Sequence, residues 1–295
     1  MPDQPTQPLR ILVFGAGPIG SMFAARMHDA GHDVSLLARG DRLASLRAHG
    51  LLFAEGNSPT ITTVSVPVVD APAESYDLIV VFVRTQQVEV VLEQLTQVQG
   101  DVLFALEWAA GPEPLTAALG TERVLLGFPS LGGVMDGDVV RYRRETLVNR
   151  LAPMSIGEPD GRITPRLEAL VRTLKSSGIA AKAEPRMDAW LKTHVAFVAP
   201  LSNAVRAAGS PVALAADREA IRVMVRDLRA SIASLPMRPV PRAFSALTVL
   251  PEGLLVSVFR RFLTSTVAKP LGILTPSASA EIDLMIEQMR APADA

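Results

Sequence analysis

At 295 residues the chain is long for a single core, so two domains are the better expectation. Hydrophobic residues make up 48% and charged residues 20%, and a net charge of −1 without a basic run excludes an electrostatic footprint for nucleic acid. No uncharged run reaches the length of a membrane-spanning helix, and the absence of cysteine excludes disulfides, thiolate catalysis and cysteine-bound zinc. The four histidines (His28, His32, His49 and His194) are not expected to build a metal site.

The start "MPDQPTQPLR" is polar and proline-bearing. It reads as a loose arm without the apolar segment of a signal peptide, so the cytoplasm is the expected compartment. Ile11 to Phe14 then form a short buried strand. After a glycine-rich turn, Ile19, Met22, Phe23 and Met27 recur at helical spacing, in a helix that ends near Gly31. Val34 to Leu37 make a second strand, completing a βαβ unit of about 30 residues. A strand is expected in "ITTVSVPVV" and another in the continuously apolar "DLIVVFV". "VEVVLEQLTQV" is helical, and "DVLFAL" and "RVLLGF" are strands. This alternation predicts a doubly wound parallel sheet.

Near Pro185 the pattern changes. "RMDAWLKTHVAFVAPLSNAVRAA", "DREAIRVMVRDLRASIASL", "EGLLVSVFRRFLTST" and "SASAEIDLMIEQMR" carry helical periodicity, with "LPMRPVPRAF" and "AKPLGILTP" as connecting loops. The expected architecture is an α/β Rossmann-type, doubly wound parallel-sheet domain over residues 1–184, followed by an all-α C-terminal domain over 185–295.

The glycine-rich turn, "FGAGPIG" (Phe14 to Gly20), is a G-x-G-x-x-G motif with a strand before it, a helix after it and a second strand close behind. Gly15 permits the turn, Gly17 lets the chain approach a pyrophosphate, and Gly20 lets the helix pack close to the sheet. Ala16, Pro18 and Ile19 complete the loop, and the start of the helix offers free N–H groups and partial positive charge to phosphates. The second strand ends "LLARGDR", with Arg39 where NAD and FAD sites carry a carboxylate. A guanidinium can hold a 2′-phosphate through paired, charge-assisted hydrogen bonds, so NADP(H) is the expected cofactor, with Arg42 able to assist. Asp41, beyond the turn, is the competing reading.

Five stretches in this order, "FGAGPIGSMFAARMHDAGHDVSLLAR", "DLIVVFVRTQQ", "TERVLLGF", "AWLKTHVAF" and "SASAEID", resemble the ketopantoate reductase family over nearly the whole chain. The resemblance implies reduction of a 2-oxo acid by NADPH in a cleft between the two domains. It puts the family's catalytic lysine at Lys192, where an ammonium can stabilise the charge that builds on a ketone oxygen and donate the proton. It puts the acidic residue of the family's E-I-D motif at Glu281, which would bind a substrate hydroxyl or orient the lysine; a surface glutamate is the alternative. Arg84 stands at a family lysine and keeps a cation for cofactor or substrate carboxylate.

Other positions depart from the family. Its Q-N-G turn is Glu107-Trp108-Ala109 here, which puts Trp108 at a substrate-contacting asparagine. Ala196 and Pro200 replace two more asparagines, and Asn203 returns to nearly the same helical face as a substitute substrate ligand. His194 is turned away from Lys192 on the helix and reads as a packed or surface histidine. These departures favour a less hydroxylated 2-oxo acid than ketopantoate. No nucleic-acid, membrane or metal partner is expected, and a homodimer stays open. A cofactor-binding protein without turnover and an opine-type dehydrogenase are the alternatives to a reductase.

Overall fold

The computed structural model describes residues 7–129, 132–142, 153–265, 268 and 275–290. Residues 1–6 of the expected amino-terminal arm and most of the expected loop "AKPLGILTP" lie outside the described residues, and Arg10 at the end of that arm already belongs to the first strand. The chain divides into two compact units, Met1–Leu106 with Pro112–Met187, and Glu107–Gly111 with Asp188–Ala295.

In the first unit, β1 (Arg10–Phe14) is apolar on both faces because it runs through the middle of a sheet, and Ile11 to Phe14 are all buried. Helix α1 (Pro18–Asp29) starts on a proline, whose fixed φ suits a first helical turn and whose missing N–H costs nothing there. The chain reverses after it at Gly31, φ +89°, and enters β2 (Asp33–Leu37). Helix α2 (Gly40–His49) leads to β3 (Leu51–Glu55), β4 (Thr62–Val64), β5 (Val68–Val69) and β6 (Ser75–Val81). Then follow α3 (Val88–Leu95), β7 (Gln99–Ala105), α4 (Glu113–Leu119) and β8 (Val124–Phe128). A hairpin of β9 (Gly133–Asp136) and β10 (Val139–Tyr142) precedes β11 (Met154–Gly157), α5 (Pro165–Ser176) and β12 (Ala181–Ala183).

The main sheet has the order β12-β11-β8-β7-β6-β1-β2-β5. Its six strands from β8 to β5 pair in parallel and reproduce the dinucleotide-binding order 3-2-1-4-5-6, with the order reversing between β1 and β6. Strand β11 adds antiparallel to β8. One expectation needs correction: "ITTVSVPVV" is two strands in two sheets. β4 pairs with β3, whereas β5 pairs with β2. The break falls at Pro67, which has no N–H to donate and offers its carbonyl to the Leu36 N–H at 2.8 Å. The second sheet, β4-β3-β10-β9, was not anticipated from the sequence.

The described part of the second unit downstream of residue 187 is helical: α6 (Met187–Ala208), α7 (Pro211–Ala216), α8 (Arg218–Ala233), α9 (Ala246–Val249), α10 (Glu252–Leu263) and α11 (Pro276–Arg290). Ser210 caps α7 by accepting from the Ala213 N–H, and Asp217 caps α8 by accepting from Glu219 and Ala220. The apolar stripe of α8, Ile221, Met224, Val225, Leu228 and Ile232, packs into one cluster with Leu255, Phe259 and Leu263 of α10. Among the described residues no helix is long and apolar enough to cross a membrane.

Candidate active site

In the first unit the glycine loop sits at the C-terminal end of β1, at the switch point of the sheet. Gly15 has φ +115°, a conformation side chains avoid, and a Cβ there would overlap the carbonyl oxygen of Phe82 just beyond β6. A Cβ on Gly20 would overlap the carbonyl oxygen of Gly15. These two glycines let the loop, α1 and the end of β6 close on one another. Gly17, the residue that caps α1, is different. Its φ of −71° admits any residue, and a Cβ would meet no protein atom within 4 Å. The protein's own packing does not require glycine there, whereas close approach of a phosphate to the backbone does. Ala16, Pro18 and Ile19 lie in the same turn, and the first N–H groups of α1 have no intrahelical acceptor. The loop therefore fits a dinucleotide.

Arg39 follows β2 and is exposed at the N-cap of α2. Its Nη2 donates to Gln94 Oε1 of α3, and its guanidinium stands 6.0 Å from the Phe14 ring centre. Arg84 follows β6, with its backbone N–H bonded to Gln87 Oε1 at 3.0 Å. Arg39, the glycine loop and Arg84 thus come together at the C-terminal ends of three adjacent strands, β2, β1 and β6. Arg42 behaves differently from Arg39. Its side chain is mostly buried and its Nε donates to the Ala16 carbonyl at 3.1 Å. Asp41 is exposed in the first turn of α2.

In the second unit, Lys192 of α6 donates from Nζ to Asp188 Oδ2 at 2.9 Å, one helical turn back, with both side chains partly buried. His194 belongs to a separate arrangement. Its Nε2 lies 3.1 Å from Glu107 Oε1, and its ring stacks on Trp190 at 5.3 Å between centroids. Trp108 is buried, and its indole N–H donates to the Gly111 carbonyl at 2.5 Å. Ala109 donates its N–H to Gln288 Oε1 at 3.0 Å and joins Val195, Ala199, Ile282 and Met285 in an apolar cluster. That cluster brings together the segment bearing Trp108, the helix bearing Lys192 and the helix bearing Glu281, which is itself partly buried. Asn203 Oδ1 accepts from Arg206 Nη2 at 2.8 Å, and Arg206 also grips both oxygens of Asp283. The hydrogen bonds from Arg206 hold the Asp283 carboxyl below its ordinary range.

Among the partners that the sequence reading did not anticipate are Asp188, Glu107 and Arg206. The Asp188–Lys192 spacing of four residues on a helix is a signal that could have found the first. Glu107 and His194 are 87 residues apart, and nothing local connects them. His28 and His32 also stand four apart, a spacing metal sites use, but His32 points its Nδ1 at the Leu9 N–H and its Nε2 at Ser177. Among the described residues no group of three or more His, Asp or Glu could hold a metal ion.

The first unit defines a protein of the Rossmann class, joined to a second unit whose described part beyond residue 187 is helical. Residues 11–154 match the model of the family "Ketopantoate reductase PanE/ApbA", so this part of the chain carries a ketopantoate reductase domain. A 2-dehydropantoate 2-reductase of Archaeoglobus fulgidus is 30% identical over 59% of this chain and 55% of its own. The chain spans 55%, 63% and 61% of the lengths of three curated relatives it matches. Among solved structures, a 2-dehydropantoate 2-reductase of Geobacter metallireducens superposes with a TM-score of 0.66 at 18% identity, covering 95% of this chain and 99% of its own. A D-mandelate dehydrogenase, solved with NADH and anilino(oxo)acetate, superposes with a TM-score of 0.64 at 16% identity, covering 95% and 97%. These two likenesses are of fold.

Proposed function

We propose that the protein is an NADPH-dependent reductase of a 2-oxo acid. The observation that carries the reading is the glycine loop at the switch point of the sheet, where Gly17 serves no packing need of the protein itself. Gly15, Ala16, Gly17, Pro18, Ile19 and Gly20 would hold the pyrophosphate, Arg39 the 2′-phosphate, and Arg84 the cofactor or a substrate carboxylate. When bound, the cofactor supplies the hydride. Lys192 stabilises the charge that develops on the carbonyl oxygen and donates the proton from Nζ, and the bond to Asp188 keeps its ammonium oriented beforehand. Glu281 and Asn203 would orient the substrate.

The preferred substrate is a branched or aromatic 2-oxo acid. Trp108 stands where the family carries an amide, and its one donor is taken by Gly111, so it supplies neither the donor nor the acceptor of that amide. Each buried hydroxyl of a substrate left unpaired costs about 1–3 kcal/mol. Two such losses lower kcat/KM by about 10³. The neighbouring fold of a D-mandelate dehydrogenase, solved with anilino(oxo)acetate, makes an aromatic 2-oxo acid a natural candidate. The test is NADPH oxidation with ketopantoate beside branched and aromatic 2-oxo acids, paired with a cofactor titration. Turnover of an apolar 2-oxo acid is expected. Ketopantoate turning over above about 10⁴ M⁻¹s⁻¹ would overturn the substrate assignment. Cofactor binding without turnover of any member would make the protein a silent NADP(H)-binding one.

A further inference from the structure

We infer that Arg42 is a positioning residue for the pyrophosphate loop and couples that loop to the β9–β10 turn of the second sheet. The inference rests on the dinucleotide reading above. One guanidinium makes three contacts with three separate elements. Nε donates to the Ala16 carbonyl at 3.1 Å, Nη2 to Ser21 Oγ of α1 at 3.4 Å, and Nη1 to the Asp138 carbonyl at 3.0 Å. The Asp138 carboxylate adds a longer ion pair at 3.9 Å. Ser21 is fully buried and sends its own hydroxyl proton to the same Ala16 carbonyl at 3.3 Å.

The peptide plane converts these contacts into an effect on the ligand. Ala16 C=O and Gly17 N–H are opposite ends of one trans peptide, so fixing the carbonyl toward Arg42 turns the N–H the other way. The side on which Gly17 leaves its backbone uncovered then carries a donor. With the carbonyl rotated outward, that surface would present an acceptor to an anion. A planar fork with donors in fixed directions is needed to reach three elements at once, and the single ammonium of lysine cannot replace it. Burial lowers the Arg42 pKa while the charge of Asp138 opposes that shift. Arg42 is committed to the loop, which leaves Arg39 as the arginine available to a 2′-phosphate.

Two ligand fragments separate these roles. ADP-ribose carries the pyrophosphate without a 2′-phosphate, and 2′-AMP carries a 2′-phosphate without the pyrophosphate. Both are titrated into the full-length protein and its variants, with circular dichroism reporting the fold. Arg42→Met is expected to weaken ADP-ribose about tenfold or more and to leave 2′-AMP nearly unchanged, and Arg39→Ala is expected to do the reverse. Arg42→Lys should give the Arg42→Met pattern in milder form, and it decides the matter if Arg42→Met fails to fold. Folded Arg42 variants that bind ADP-ribose like wild type, or that lose both fragments equally, would overturn the positioning role. A wild-type protein that binds neither fragment would overturn the dinucleotide reading and this inference with it.

Discussion

His32 is held neutral by its neighbours. The Leu9 N–H donates to Nδ1 at 3.1 Å, and Ser177 Oγ, whose own proton goes to the Thr173 carbonyl, lies 3.2 Å from Nε2. Nε2 therefore carries the ring proton, and a second proton on Nδ1 would face another N–H. Burial lowers the pKa of the ring from its ordinary 6.5. Between that lowered value and 6.5 the unfolded chain binds more protons than the folded one, so stability rises with pH across this window. The His32 contribution is complete above about 6.5 and is lost as the pH falls toward the folded-state value. Urea unfolding at a series of pH values should show this loss in wild type and a flatter profile in His32→Gln; identical slopes would exclude it. Lys192 is the other residue whose loss is informative. Lys192→Ala should lower kcat by about 10² or more on a 2-oxo acid substrate while leaving cofactor affinity nearly unchanged, read by steady-state kinetics and a cofactor titration. Normal turnover would remove Lys192 from the chemistry.

Elements are joined by groups the sequence does not pair. Arg166, in the first turn of α5, binds both oxygens of the buried Glu158 and reaches Asp101 of β7 at 3.0 Å and the Val124 carbonyl of β8 at 3.2 Å. Burial raises the Asp101 pKa against the pull of Arg166. Arg166→Met would leave the buried Glu158 carboxyl without its guanidinium partner, so a loss of about 3 kcal/mol in denaturant unfolding is expected. The glycine loop gives a paired prediction. Gly20→Ala forces a methyl into the Gly15 carbonyl and should destabilise the first unit, whereas Gly17→Ala meets no protein atom and should fold normally but bind dinucleotide more weakly. Thermal melts and a titration separate the two.

The β1–α1–β2 unit could be read from the sequence because its apolar spacing and its glycines serve the same local geometry. The strand break at Pro67 could not, since it depends on which neighbouring strand the proline carbonyl meets. The β9–β10 hairpin escaped notice because Val140 is its one fully buried residue and the apolar pattern is correspondingly thin. Arg39 and Arg42 are the same residue type three positions apart. Only the fold shows one exposed at a strand end and the other spent on Ala16.

At the scale of the whole chain, the five residues Glu107–Gly111 are grouped with the second unit although the strands before and after them belong to the first. A linear boundary between residues 184 and 185 makes no provision for that excursion, which carries Trp108 and Glu107 to the unit that holds Lys192 and Glu281. A ligand that binds only the folded chain raises its melting temperature, and at a hundredfold excess over Kd the gain is about 2.7 kcal/mol. The proposed binding of NADP(H) through Arg39 is tested by a calorimetric titration of NADPH and NADH into wild type and Arg39→Ala. Wild type is expected to prefer NADPH by about tenfold or more, and the variant to lose that preference by weakening NADPH alone. Equal affinity of wild type for the two cofactors, or an equal loss of both on substitution, would contradict it.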